Sequence, residues 1–243
     1  MSVVTSAPAD RLTWSPPEGV AVRGTVLVVP GRGETDTVYT RFGTRLSVDG
    51  YRVRTLDPTQ PADAAVAELT ELAAAEQHPL VLVGSDTGAD AALRLAAAAG
   101  SAVDAVVAAG VTTGATDPVE IADWDDELDA RSACPVHRGR LEGDTGFVRG
   151  AYAGAPAETA TEVPVVAAPV LLVHGADDRI APVAGARAVR DALPQARLVV
   201  AAAGRHDVLN DVAHRSVAAE IVQFLEALRL DPAAAPVLQD DAR

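Results

Sequence analysis

Six short, strongly apolar runs, spaced by stretches rich in Ala and Leu, set the main limit on how this chain can fold. They lie at 22–29 (VRGTVLVV), 51–56, 79–83, 103–108, 169–173 (PVLLV) and 197–202 (RLVVAA). None alternates cleanly between polar and apolar, which is the pattern of strands covered on both faces. Helical stretches are expected between them at about 37–49, 62–76, 88–99, 182–192 and 211–229. The last sets Val217, Ile221, Phe224, Leu225 and Leu228 three and four apart, on one face. Strand–helix alternation of this kind predicts an α/β fold with a mostly parallel sheet flanked by helices. The rhythm breaks between about 112 and 164, where no strand is legible and Gly, Asp and Arg are frequent. That interval, which holds Trp124 and Tyr152, reads as a cap inserted over the carboxyl edge of the sheet. The tail after about 230 is expected to fray. At 243 residues the whole is expected to be a single domain carrying one insertion.

Charge and composition exclude several functions. The chain has 34 acidic against 20 basic residues, a net charge of −14. A nucleic-acid binder needs positive charge to displace counterions, and a protein held on anionic lipid needs a basic patch. A small-molecule substrate is therefore the expected partner, with no nucleic acid and no membrane; the sequence sets no oligomeric state. Every basic residue is Arg, which excludes Schiff-base and P-loop chemistry and suggests a GC-rich bacterial source. The single cysteine, Cys134, allows neither an intramolecular disulfide nor a cluster of cysteine ligands. No apolar run reaches the ~18 residues of a membrane span. The first residues lack a basic segment followed by an apolar one, so a cytoplasmic location is expected.

Three loops carry the chemistry. The first is Gly84-Ser85-Asp86-Thr87-Gly88, between an apolar run and an Ala/Leu helix, the setting of a nucleophile elbow with Asp86 at its centre. The second, Gly175-Ala176-Asp177-Asp178, follows the fifth apolar run. The third, Gly204-Arg205-His206-Asp207, follows the sixth. Taken alone, the first loop could be a helix start with Asp86 as its cap, because Asp, Ser and Thr favour that position. All three together place a nucleophile, an acid and a histidine, in that order, at the carboxyl ends of strands, where active sites of open α/β sheets gather.

These residues resemble the α/β-hydrolase superfamily, and within it the serine aminopeptidase / monoacylglycerol lipase-like (lysophospholipase-like) branch. Gly31-Arg32-Gly33-Glu34 resembles that branch's oxyanion loop, with Pro30 where a histidine is usual. Asp49-Gly50-Tyr51-Arg52-Val53 resembles its strand entry. The stretch from His174 to Pro182 resembles its acid loop, which implies Asp178 as the acid, with Asp177 as the alternative. The resemblance spans roughly 20–112 and 165–229 and leaves the cap unmatched. It also implies backbone oxyanion donors at Arg32 and Thr87. The departure is Asp86, where that branch has Ser. Aspartate at this place resembles the epoxide hydrolases and the haloalkane and haloacid dehalogenases.

The difference is chemical. A carboxylate is already anionic at neutral pH and can attack an sp³ carbon directly, forming an ester with the enzyme. His206, oriented by Asp178, would then activate the water that hydrolyses it. The leading expectation is a cofactor-free hydrolase, without metal, acting on a small, mainly apolar epoxide, halide or related electrophile. Trp124 or Tyr152 of the cap would meet the leaving group. Two alternatives stand beside it: an esterase or lactonase of the lysophospholipase-like kind, with Asp86 as nucleophile or base, and a non-catalytic binding protein on the same fold. Elsewhere, Arg32 could bind a substrate carboxylate or lie idle at the surface. Cys134 and His137 read as cap structure, Asp207 as a loop residue, and the acidic run Asp123, Asp125, Asp126, Glu127, Asp129 as a solvated helix face.

Overall fold

A computed structural model of the chain describes residues 4–7, 11–57, 59–113, 120–152 and 162–230. The six apolar runs become strands β3 (Gly24–Val29), β4 (Tyr51–Thr55), β5 (Leu80–Ser85), β6 (Ala105–Ala109), β7 (Val170–Gly175) and β8 (Ala196–Ala201). Two strands precede them, β1 (Val4–Ala7) and β2 (Arg11–Trp14). The eight form one sheet in the order β1-β2-β4-β3-β5-β6-β7-β8, antiparallel at β1/β2 and β2/β4 and parallel from β4 onward. The N-terminal hairpin escapes a reading by periodicity because its strands are four residues each, too short to show a period.

Strands β3, β5, β6 and β7 are buried along their whole length, and alternate residues serve two cores. Val26, Val28, Val81, Val83, Val107 and Val173 face α1 (Thr40–Val48) and α7 (His214–Leu230). Leu27, Leu80, Leu82, Val106, Ala108 and Leu172 face α2 (Ala62–Ala75), α3 (Thr87–Ala99) and α6 (Val183–Ala192). That double burial is why the sequence shows continuous apolar runs. In α7, Val217, Ile221, Leu225 and Leu228 are buried, while Phe224 is only half-buried.

The strand order places the site. After β4 the chain crosses back over β3 to form β5, so the loops leaving β3 and β5 diverge at a topological switch point and leave a crevice between them. Between β6 and β7 in the chain lie α4 (Trp124–Arg131) and α5 (Pro135–Gly143). The expected frayed tail, and residues 114–119 and 153–161 of the expected cap, fall outside the described residues. No helix among the described residues is long and apolar enough to cross a membrane.

Candidate active site

The loop from β5 into α3 is forced into a sharp turn. Asp86 has φ 53° and ψ −128°, the one non-glycine residue with positive φ among the described residues. A bulky L-residue held there is strained, and such strain persists only where the surroundings impose it. The flanking glycines show how they do so. A Cβ at Gly84 would collide with the Gly88 carbonyl, and one at Gly88 with the carbonyls of Val29 and Pro30. Helix, strand and the β3 loop pack backbone against backbone here, so only glycine fits.

Asp86 stands at the head of α3, yet its side chain makes no capping hydrogen bond. One oxygen, Oδ2, accepts instead from the backbone N–H of Arg32 at 2.8 Å. The other, Oδ1, lies 3.3 Å from Nε2 of His206 without hydrogen-bond alignment, and both atoms are buried and have no hydrogen-bond partner among the described residues. Thr87 is the first residue of α3, so its N–H has no intrahelical acceptor.

His206 is fixed from its other side, where Nδ1 lies 2.8 Å from Asp178 Oδ2. Asp178 Oδ1 accepts from the N–H groups of Ile180 and Ala181 at 2.9 and 2.8 Å, so the acid cannot swing away. Its neighbour Asp177 is exposed and points to solvent. Burial alone would raise the carboxyl pKa of Asp86, but the adjacent imidazole and the charges of Arg32 and Arg131 outweigh it, and the pKa falls to about 2. Asp178 is likewise lowered, burial being overcome by His206 and His174. Burial would lower His206, but Asp178 and Asp86 on either side raise it well above its usual value. Both carboxylates thus favour the protonated form of the imidazole between them.

The segment after β6 closes over this group. Tyr152 is buried, its ring edge-on to the His206 imidazole at 5.9 Å between centroids, and its hydroxyl has no hydrogen-bond partner among the described residues. Burial first, then the charge of Asp86, raises its pKa and keeps it a phenol. Trp124 stands further out. It is half-buried, 5.6 Å from the ring of Phe147, with Arg149 over its face. The structure therefore brings Asp86, Asp178, His206, the Arg32 N–H and Tyr152 together, and leaves Trp124 on the outer layer.

The hub of the closure is Arg131, which the sequence reading passed over. Fully buried, it donates to Glu127 at 3.0 Å and to the Arg32 carbonyl at 3.0 Å, and lies 3.5 Å from Asp207 and 3.7 Å from Glu34. Its guanidinium sits against the rings of Phe147 and Tyr152. Val148 adds a hydrogen bond to the Gly33 carbonyl at 2.9 Å, so this segment pins the loop after β3 twice. Glu34, with Tyr39, holds the loop from below through the N–H of Gly31.

The acidic run is correspondingly not a solvated face. Glu127 is fully buried, Asp123 caps α4 through the N–H of Asp126, and Asp126 and Asp129 pair with Arg179 and Arg205. The i,i+4 spacing of Glu127 and Arg131 was the available signal. Asp207 is buried and bonded to His137 at 2.8 Å. No group of His, Cys, Asp and Glu side chains among the described residues is arranged to hold a metal ion.

Comparison with known proteins agrees with the fold. A family model described as TAP-like protein (Abhydrolase_4) matches residues 151–235. No protein of curated function matches the chain in sequence. Among solved structures, a soluble variant of monoglyceride lipase from Saccharomyces cerevisiae superposes with a TM-score of 0.68 at 17% identity, covering 92% of this chain and 94% of that one. Monoacylglycerol lipase from Paleococcus ferrophilus gives 0.66 at 20% identity, covering 92% and 98%. An esterase from a Rhodococcus species gives 0.65 at 16% identity, covering 93% and 99%. The chain has the α/β-hydrolase fold.

Proposed function

From this fold and this arrangement of side chains, we propose that the protein is a cofactor-free hydrolase that opens an epoxide with Asp86 as covalent nucleophile. The observation carrying this reading is the unequal state of the two carboxylate oxygens. Oδ2 is held by the Arg32 N–H at 2.8 Å, while Oδ1 is buried, charged and unpartnered. A carboxylate so held is aligned to attack through Oδ1, and Oδ2 already occupies the place where an oxyanion will form on Cγ.

The proton balance closes on residues in place. Oδ1 forms a bond to an epoxide carbon, the ring C–O bond breaks, and the ring oxygen takes the proton of Tyr152. Esterification removes the Asp86 charge, one of the two that raise His206. The imidazolium then gives its proton to the Tyr152 phenolate and becomes a base. Water attacks Cγ of the ester, passing its proton to His206, and the oxyanion is held by the N–H groups of Arg32 and Thr87. Collapse expels the alcohol oxygen, which takes that proton from His206. Asp86, left as the acid, returns its own proton to His206 and restores the resting state. The net reaction is epoxide plus water to diol.

A halide substrate would need a donor for the leaving ion, and Trp124 stands on the outer layer. Ester hydrolysis takes support from the lipases and esterase of the same fold, but attack by Asp86 on an ester would pass through a mixed anhydride. The test is His206→Gln. With an epoxide that the wild type hydrolyses, this variant should accumulate an adduct of the epoxide's mass on the peptide containing Asp86. Loss of turnover without an adduct would place His206 in the first step and remove the nucleophile from Asp86.

A further inference from the structure

Two guanidinium groups lie against the ring of Tyr152, Arg131 at 4.7 Å and Arg32 at 4.9 Å from its centroid. They differ in what else they touch. Arg131 is surrounded by Glu127, Glu34, Asp207 and the Arg32 carbonyl. The guanidinium of Arg32 has neither a hydrogen bond nor an ion pair among the described residues. Four other arginines share that condition, Arg94, Arg140, Arg187 and Arg215, and all four are exposed. Arg32 is half-buried, beside the reacting carboxylate, in a chain with 34 acidic residues. Its charge acts on Asp86 through space, but among the described residues its fork of donors is bonded to no carboxylate and stays available to a ligand.

The site beside it holds three buried atoms without a hydrogen-bond partner among the described residues: Asp86 Oδ1, His206 Nε2 and the Tyr152 hydroxyl. These are the atoms the proposed reaction uses. The guanidinium meets this group at Tyr152, whose ring it covers at 4.9 Å and whose hydroxyl is one of the three atoms. We propose that Arg32 binds a carboxylate of the substrate, so that the substrate is a small epoxy acid rather than a neutral epoxide. Resting on the Asp86 reading, this assignment narrows its substrate class. It answers an electrostatic need, because an anionic substrate would otherwise be repelled by Asp86. A guanidinium receives a carboxylate through two parallel hydrogen bonds, which fixes the epoxide carbon as well as neutralising the charge.

The probes are glycidate and glycidamide, which share a shape and differ in charge. In His206→Gln, adduct formation on the Asp86 peptide should be about tenfold or more faster per unit concentration with glycidate. In the double variant His206→Gln, Arg32→Gln, the ratio of the two rates should fall toward one. A ratio unchanged by Arg32→Gln, or equal rates before it, would overturn the Arg32 assignment and leave Asp86 as nucleophile. No adduct from either probe would overturn the Asp86 reading instead. Titration calorimetry of the wild type with glycerate, the hydrolysed acid, gives a readout without alkylation. Binding that weakens about tenfold in Arg32→Gln supports the carboxylate site, and binding that does not change with Arg32 contradicts it.

Discussion

At the scale of single residues, the site is a balance between two carboxylates and the imidazole buried between them. Asp86 and Asp178 flank one imidazole, and each side chain is fully buried. The pKa of His206 is raised by both carboxylates against the opposing effect of burial. Asp86→Asn removes one carboxylate and imitates the esterified state. The imidazole pKa should then fall, read by NMR titration of the His206 ring. An imidazole that titrates at the same pH in wild type and variant would mean that Asp86 does not face it, and the base for the second step would be lost from the account. Much at this scale was legible in the sequence. Gly84 and Gly88 marked the elbow because only glycine survives backbone contact there. The resemblance of the stretch from His174 to Pro182 implied Asp178 as the acid, with Asp177 as the alternative, and it is Asp178 that bonds His206. Tyr152 and Trp124 were indistinguishable, because which one turns inward depends on Arg131, Phe147 and Arg149 from α4 and the chain after α5.

At the scale of elements, the sheet was legible and the closure over it was not. Strands β3, β5, β6 and β7 are covered on both faces, so their apolar runs are continuous. The β1/β2 hairpin is short and lies at the sheet edge. Helix α4 misleads for another reason: WDDELDAR reads as a solvated helix because its buried groups are charged. Glu127 and Arg131 are inside because they neutralise each other and meet further partners, Glu34 and Asp207. That arrangement makes the hub fragile. Arg131→Met would leave buried carboxylates without their cation and should cost about 3–5 kcal/mol by urea unfolding. It also frees the Arg32 carbonyl, so alkylation of Asp86 should slow in the His206→Gln background. A loss under about 1 kcal/mol would show that the carboxylates find other partners and that α4 does not hold the loop after β3.

At the scale of the whole molecule, the same charges tie stability to pH. Asp86 has a lower pKa folded than unfolded, so its contribution is present above about pH 4 and is lost as the pH falls toward 2. His206 has a higher one, so its contribution is complete below about pH 6.5 and is lost as the pH rises through the raised value. The Tm difference between wild type and Asp86→Asn should therefore favour the wild type most between about pH 4 and 6.5 and shift toward the variant on either side. A difference independent of pH from 3 to 9 would mean that the pair is not ionised as described. Whole-molecule charge acts separately: at −14 the surface repels anions, which sharpens the need for a local cation at Arg32 if the substrate is an acid.

In the proposed reaction an oxygen of Asp86, and not of water, enters the product first. Single-turnover reaction in H₂¹⁸O, with enzyme in excess over the fastest of a panel of epoxides, tests it directly. The covalent route gives an unlabelled diol from that first turnover and ¹⁸O in the peptide containing Asp86. A labelled diol with an unlabelled Asp86 would contradict it, because water would then have attacked the substrate without an ester on the enzyme.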